Sequence, residues 1–370
     1  MFELACKLAD EGRRIYHFEV GEPDFQTPSN IVDAGIKALR EGKTKYASSR
    51  GAPPLLDAIE EMYSNRGIDI DGRKNVIVTP GAKMALYSAI VSTIDPGDEV
   101  LLLSPAWPTY RVMIQAVGAK PVDVPVNPDF TLNEEALKKA MTRTVTGLIL
   151  NSPCNPSGGV MTKDELKTIY DLAEDNDFVV FSDEIYEALV YNDSGQTSAL
   201  EIDPTMSQTL LINGFSKAYA MTGWRLGFAI GNSEAIGNMI RIQQNTTSCA
   251  ASFVQMAGVE ALTGDQSSID AMVNDYKTRR DEITNLLNQM EGVSCVLPKG
   301  AFYVFPDFAD YGLSSNTLAE LILKKTGVTT TPGAVFGDAF SSNLRFSYAA
   351  SMEEIKEGLF TLASYLPNIL

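Results

Sequence analysis

Histidine is almost missing from this 370-residue sequence, where His17 is the only one. A single histidine cannot build a histidine-rich metal site or an HExxH helix. A Ser-His-Asp triad would have to use His17, which sits in the apolar-rich run IYHFEV and reads as a strand residue. Cysteine is scarce as well. Cys6, Cys154, Cys249 and Cys295 are scattered with no CxxC pair, which argues against a disulfide scaffold and a thiolate zinc site. No metal is expected. No apolar run approaches the roughly 18 residues needed to span a bilayer. The opening MFELACKLADEGRR reads as an amphipathic helix, not a signal peptide. Positive charge is in short supply: 30 Lys and Arg face 47 Asp and Glu, a net charge of −17. That balance argues against nucleic acid held through its phosphates and against adhesion to anionic membrane. The expectation is a cytoplasmic, soluble chain.

Familiar catalytic signatures are absent too. There is no GxGxxG, no GxxxxGK[ST] and no SxxK, and GFSKA at 214–218 departs from GxSxG by an alanine. What the chain has is core material. At 45% hydrophobic over 370 residues it can bury a large interior and form more than one domain. From residue 75 a strand, a loop and a helix alternate. NVIVTPG precedes AKMALYSAIVSTI, EVLLLSP precedes TYRVMIQAVG, and TGLILNSP precedes KDELKTIYDLAEDN; FVVFSDE, TLLINGFS and RLGFAIG continue the series. Short runs rich in Val, Leu and Ile suit strands buried on both faces, so the fold class is α/β with a mostly parallel sheet. The texture changes after the long helical stretch SIDAMVNDYKTRRDEITNLLNQMEG, and VSCVLPKGAFYVFPDF, TLAELILKK and LRFSYA read as a smaller α+β unit. The expected division is a large domain over 29–282 and a small one made of 1–28 with 283–370.

In such sheets ligands bind beyond the carboxyl ends of the strands, and that is where polar motifs cluster. Lys217 follows TLLINGF. A lysine in an apolar neighbourhood suits Schiff-base chemistry, because desolvation favours the free amine; spacing alone favours a surface lysine. Arg225, eight residues on, can clamp a phosphate or serve a salt bridge. Asp183 ends the run FVVFSD, where a carboxylate is costly unless paired; a pyridinium N–H or a helix N-cap would satisfy it. Tyr186 can turn its hydroxyl into the same space or pack as a core aromatic. Asn155 can hydrogen-bond a phenolic oxygen or merely form the turn before Pro156. Trp107 can stack on a planar ring or fill the core. Gly81, Ala82 and Lys83 open a helix whose free N–H groups suit a phosphate. Arg345, in NLRFSYA, is flanked by apolar residues and needs an anion; a substrate carboxylate or an internal acid would serve.

Taken together, GEPDFQTP, KYASSRGAP, TPGAKMAL, SPAWPTY, NSPCNPSGG, SDEIY, FSKAYAMTGWRLG and LRFSYA resemble, in order and spacing, the class I and II aminotransferases of the aspartate and aromatic branch. The resemblance runs over almost the whole chain. It implies a pyridoxal 5'-phosphate enzyme of fold type I. Lys217 would carry the cofactor in Schiff-base linkage and move the α-proton. Asp183 would hold the ring nitrogen protonated. Tyr186 and Asn155 would bond the phenolic oxygen, and Trp107 and Ile185 would cover the two ring faces. Gly81, Ala82, Lys83, Ser216 and Arg225 would hold the phosphate. Tyr46 matches a tyrosine that reaches the neighbouring subunit's phosphate, which implies a homodimer with shared sites. Arg345, with Gly21, Trp107 and Asn155, would bind the substrate, an L-amino acid or a 2-oxo acid such as 2-oxoglutarate. Two features depart from the pattern: Gly214 stands where many relatives have serine, and the chain begins close to the helix before GEPDF. The same cradle also serves C–S β-lyases and cofactor-binding regulators without turnover. For the side-chain pocket, Arg50, Arg111 and Arg241 are candidate readers of an acidic substrate. Tyr16, Phe18 and Phe336 are candidates for an aromatic one.

Overall fold

The computed structural model describes residues 1–192 and 195–369. Its strands, in chain order, are β1 (Tyr16–His17), β2 (Val76–Thr79), β3 (Glu99–Ser104), β4 (Lys120–Pro125), β5 (Val145–Asn151), β6 (Val179–Asp183), β7 (Thr209–Gly214), β8 (Gly227–Gly231), β9 (Tyr303–Val304), β10 (Val328–Thr329), β11 (Thr331–Pro332) and β12 (Leu344–Ser347). A seven-stranded sheet has the order β2-β8-β7-β6-β5-β3-β4. Only β8 runs against its neighbours, β2 and β7. The remaining pairs are parallel. The expected mostly parallel sheet is therefore present, and β2, β3, β5, β6 and β7 all end on one side of it.

Both faces of this sheet are covered, which is why its strands read as unbroken apolar runs. Successive residues serve opposite faces. Leu101, Leu148, Leu150 and Val180 pack on Leu166 and Ile169 of the helix Lys163–Asn176. Val100, Leu102, Ile149 and Phe181 pack on Leu86 and Ile90 of the helix Ala82–Thr93. A separate cluster surrounds the three-stranded sheet β11-β12-β9, where Phe18, Phe302, Phe308, Phe346, Tyr276 and Tyr348 are fully buried.

Two local expectations change. IYHFEV is strand only at Tyr16–His17, where it pairs with β10. Beyond it, residues 18–28 leave the ladder and run as a strap toward the carboxyl ends of the large sheet. The strap is tied down at several points. Asp24 takes both carboxylate oxygens to Arg279 Nη1 at 2.8 Å, Thr27 donates to the Ala220 carbonyl at 2.6 Å, and Thr222 donates to Glu22. The edge strand β4, with Pro121 and Pro125, and the helices Glu134–Ala140, Ser233–Gln244 and Ser252–Thr263 carry weaker sequence signals. Proline at an edge costs no ladder partner, so β4 forms despite it. No helix among the described residues is long and apolar enough to cross a membrane.

Candidate active site

A cavity of about 420 Å³ opens beyond the carboxyl ends of the large sheet, between those ends, the strap and the β9–β12 sheet. Gly21, Ala82, Lys83, Trp107, Asn155, Asp183, Ile185, Tyr186, Ser216, Lys217, Arg225 and Arg345 all line it. Most of the residues expected to hold cofactor or substrate are thus brought to one place.

Lys217 follows β7 and is buried. Its Nζ donates to the Gly21 carbonyl at 2.6 Å and lies 5.9 Å from the Tyr186 ring centre and 5.7 Å from that of Phe302. Burial pushes its pKa down to about 8; Arg345 and Arg225 also lower it, while Glu22 and Asp183 pull the other way. Asp183 ends β6. Its Oδ2 accepts from Tyr110 Oη at 2.7 Å and its Oδ1 from the Ile185 N–H at 3.2 Å. Burial raises its pKa to about 6 against those hydrogen bonds. A buried carboxylate with a phenol and one amide, and no cation among its hydrogen-bond partners, has capacity left for a charged donor.

After β2 the chain turns at Gly81, whose φ of +85° suits glycine, and enters the helix Ala82–Thr93. Arg225 packs against this turn so closely that a Cβ at Gly81 would stand 2.6 Å from its Nη2. Arg225 donates to the Thr222 carbonyl at 2.8 Å and has no acid partner among the described residues. It is held at φ +56°, a conformation costing about 1–2 kcal/mol in a residue with a Cβ. An unpaired guanidinium beside free helix N–H groups, with Ser216 on the same wall, forms a phosphate cradle. The glycine at 214 has a local cause. A Cβ there would meet the Leu226 carbonyl and Gly227 Cα at 3.0 Å, so a serine would strain the β7–β8 pair.

Arg345, on β12, is buried yet has no acid partner among the described residues. Nη1 donates to Asn155 Oδ1 at 3.0 Å; Nη2 reaches the Glu19 carbonyl at 2.5 Å and Thr331 Oγ1 at 3.1 Å. Its Nε has no hydrogen-bond partner among the described residues. The guanidinium lies over the Tyr303 ring, 4.6 Å from its centre. A buried, uncompensated cation facing a cavity calls for an anionic ligand. Asn155 is itself held by its N–H donating to Asn151 Oδ1 at 2.8 Å. Trp107 stands edge-on to Tyr110 and carries Lys83 Nζ over its ring at 4.8 Å.

Some sequence candidates lie elsewhere. Tyr46 is 88% exposed on the surface and lies outside the cavity lining. His17 is exposed beside Glu19. Arg50 bonds the Lys74 and Val76 carbonyls, Arg111 pairs with Asp123 and Arg241 bonds Asn238, so none of the three lines the cavity. Tyr16 and Phe18 are core residues, and Phe336 is buried outside the lining with its ring centre 5.4 Å from the Arg345 guanidinium. Lys83, read for its backbone N–H, also lines the cavity, alongside Lys217, Arg225 and Arg345. The sequence reading missed Tyr110, Asn151, Tyr303, Glu22 and Thr222. Tyr110 had a signal: it lies three residues after Trp107, one helical turn on, and a buried Asp183 needs a donor. Tyr303 had none, because only the pairing of β9 with β12 brings it beside Arg345.

The donor set fits pyridoxal phosphate: an anion cradle at one end, a lysine, and a buried acid short of a cation between aromatic and aliphatic walls. The comparisons agree. The family model for aminotransferase class I and II matches residues 13–361. The chain is 38% identical to an aspartate aminotransferase of Pyrococcus abyssi, covering 97% of this chain and 92% of that one. It is 41% identical to a (5-formylfuran-3-yl)methyl phosphate transaminase of Methanocaldococcus jannaschii, covering 98% and 94%. The crystal structure of an aromatic aminotransferase from Pyrococcus horikoshii matches with a TM-score of 0.93 at 36% identity, over 98% of this chain and 99% of that one. The chain therefore belongs to the class I and II aminotransferases, fold type I, and is a pyridoxal-phosphate-dependent aminotransferase.

Proposed function

We propose that the enzyme exchanges an amino group between a dicarboxylic L-amino acid of the aspartate type and 2-oxoglutarate or a similar 2-oxo acid. It does so in a ping-pong sequence centred on Lys217. The observation that carries this reading is that, besides Arg225 at the phosphate end, Arg345 and Lys83 line the cavity that also holds Lys217, and neither has an acid partner among the described residues. Arg345, with its free Nε, suits the α-carboxylate common to all donors. Lys83, on the helix across the cavity, suits a second carboxylate on the side chain.

When bound, pyridoxal phosphate supplies an aldehyde carbon and an electron-accepting ring. The chain's own groups do the rest. Lys217 Nζ would take the proton from the substrate's Cα as a general base and, as a general acid, give it up to the cofactor's aldehyde carbon. With a pKa of about 8, roughly a tenth of this lysine is free amine at pH 7, against about one part in three thousand for an ordinary lysine. Asp183 would hold a proton on the ring nitrogen, with Tyr110 and the Ile185 N–H orienting that carboxylate. Arg225, Ser216 and the N–H groups of Ala82 and Lys83 would hold the phosphate. Trp107 and Ile185 would cover the ring, and Tyr186 and Asn155 would bond its phenolic oxygen. Tyr46, exposed in one subunit, would complete the site of a partner in a homodimer.

The test is kcat/KM for aspartate and for phenylalanine, with 2-oxoglutarate as acceptor, in the wild type and in Lys83→Met. We expect aspartate to lose about 10-fold and phenylalanine to change little, as for one partly exposed charge pair. Equal losses for both donors would take the side-chain role away from Lys83. No amino transfer from any donor would overturn the reading itself.

A further inference from the structure

Tyr303 touches more of the site than any role so far assigned to it requires. It is 1% exposed, on β9, and its hydroxyl lies 2.9 Å from Tyr186 Oη. Its ring lies under the Arg345 guanidinium at 4.6 Å. A Cβ on Gly21 would stand 2.7 Å from its oxygen, and the Gly21 carbonyl is the acceptor of Lys217 Nζ. The two tyrosine rings meet edge to face, with centres 5.8 Å apart.

Each phenol has one proton to donate. One proton must lie between the two oxygens, and the other is left for the cavity. Which tyrosine donates inside the pair decides which one presents a proton to a ligand. We propose that Tyr303 is a positioning residue: its hydroxyl donates to Tyr186 Oη, which leaves the Tyr186 proton directed at the phenolic oxygen of the cofactor.

The surroundings favour that direction. Arg345 sits over the Tyr303 ring, and a cation there makes Tyr303 the more willing donor. Tyr186 instead has Asp183 nearby, whose negative charge opposes ionisation of the phenol; Lys217 Nζ lies on its ring face and Arg345 also acts on it. An oxygen that accepts a hydrogen bond donates its own proton more strongly, so the pair acts in series. Tyr303 thereby links the substrate-carboxylate site to the donor that faces the cofactor.

This inference rests on the proposed cofactor geometry, and its test separates the two. Wild type, Tyr303→Phe, Tyr186→Phe and the double variant are each loaded with pyridoxal phosphate, and the visible band is titrated with pH. Removing a donor to a phenolic oxygen makes the last proton of the bound chromophore harder to lose, so the colour change moves to higher pH. Tyr303→Phe keeps the ring under Arg345 and loses only the hydroxyl. It should raise the titration midpoint by about half a unit to one unit, the effect of one hydrogen bond. Tyr186→Phe should raise it further, and the double variant should match Tyr186→Phe alone, because Tyr303 acts only through Tyr186. An unmoved midpoint in Tyr303→Phe, with KM raised for amino and oxo acids, would mean that Tyr303 serves Arg345 or substrate directly and would overturn the inference. Additive shifts in the double variant would overturn it as well. A wild type that shows no visible band with pyridoxal phosphate would instead sink the cofactor geometry, and this inference with it.

Discussion

The cavity wall supplied by the seven-stranded sheet and the wall supplied by β9 and β12 hold their charged groups in different ways. On the large sheet, Asp183 is the last residue of β6 and Lys217 follows β7, strands whose neighbours fix them along their length. Asp183 is steadied by the N–H of Ile185, two residues on. Arg345, by contrast, stands in a four-residue strand and takes its bonds from Thr331, Asn155 and Glu19, which are 14, 190 and 326 residues away in the chain. Tyr303 meets Tyr186 across 117 residues. The first wall places its residues by strand and turn geometry, and Tyr110 and the Gly21 carbonyl then add distant partners to Asp183 and Lys217. The second exists only when the strap, the NSPCNP loop and the small sheet are all in place. On the proposed reading, chemistry would lie on the rigid element, and recognition on the element whose geometry depends on closure of the whole chain.

The comparison breaks most sharply at Lys217. Lys217→Ala should keep the fold and still take up cofactor, yet lose about 10⁴-fold or more in kcat as the proton-moving amine goes. Single-turnover kinetics checks this. Arg345→Ala attacks the other wall. It should lower kcat/KM by about 10³-fold through KM for amino and oxo acids alike, since two or more charged hydrogen bonds are lost. If the α-carboxylate were bound elsewhere, KM would stay put.

Asp183 sharpens the contrast through stability. Its folded pKa, about 6, is above its unfolded value, so the folded state binds the proton more tightly. The stability tied to that proton is full below about pH 4 and is lost as pH rises through about 6. Asp183→Asn should therefore stabilise the cofactor-free protein near neutral pH by up to about 3 kcal/mol, with no gain below about pH 4, while lowering activity. Urea unfolding at several pH values reads this directly. The smallest effect belongs to the seam between the walls. Gly21→Ala places a Cβ 2.7 Å from Tyr303 Oη and should cost about 1–2 kcal/mol of stability, as for a modest overpacking.

The same contrast explains what could be read in the sequence. Strand-to-turn junctions such as SDEIY and NGFSK announce themselves by an apolar run ending in a polar residue, so Asp183, Tyr186 and Lys217 were legible. Arg345 was legible as an arginine among apolar neighbours, but its partners were not, because the strap, the NSPCNP loop and the three-stranded sheet meet only in the folded chain. Tyr303 was not singled out within the smaller α+β unit, since nothing local marks its register against Ser347. The second cation was sought among Arg50, Arg111 and Arg241, which occupy themselves with carbonyls, Asp123 and Asn238. Lys83 was seen only as a helix start, because a sequence does not say where a long side chain points.

The most direct test of the central claim is one half-reaction. Purified protein is loaded with pyridoxal phosphate, freed of excess, and given L-aspartate with no acceptor while absorbance and products are followed. The account predicts that the visible band bleaches once, with one equivalent of 2-oxo acid released per site, and returns when 2-oxoglutarate is added. Continuous release of pyruvate and ammonia without bleaching, or no spectral change with any amino acid, would contradict it.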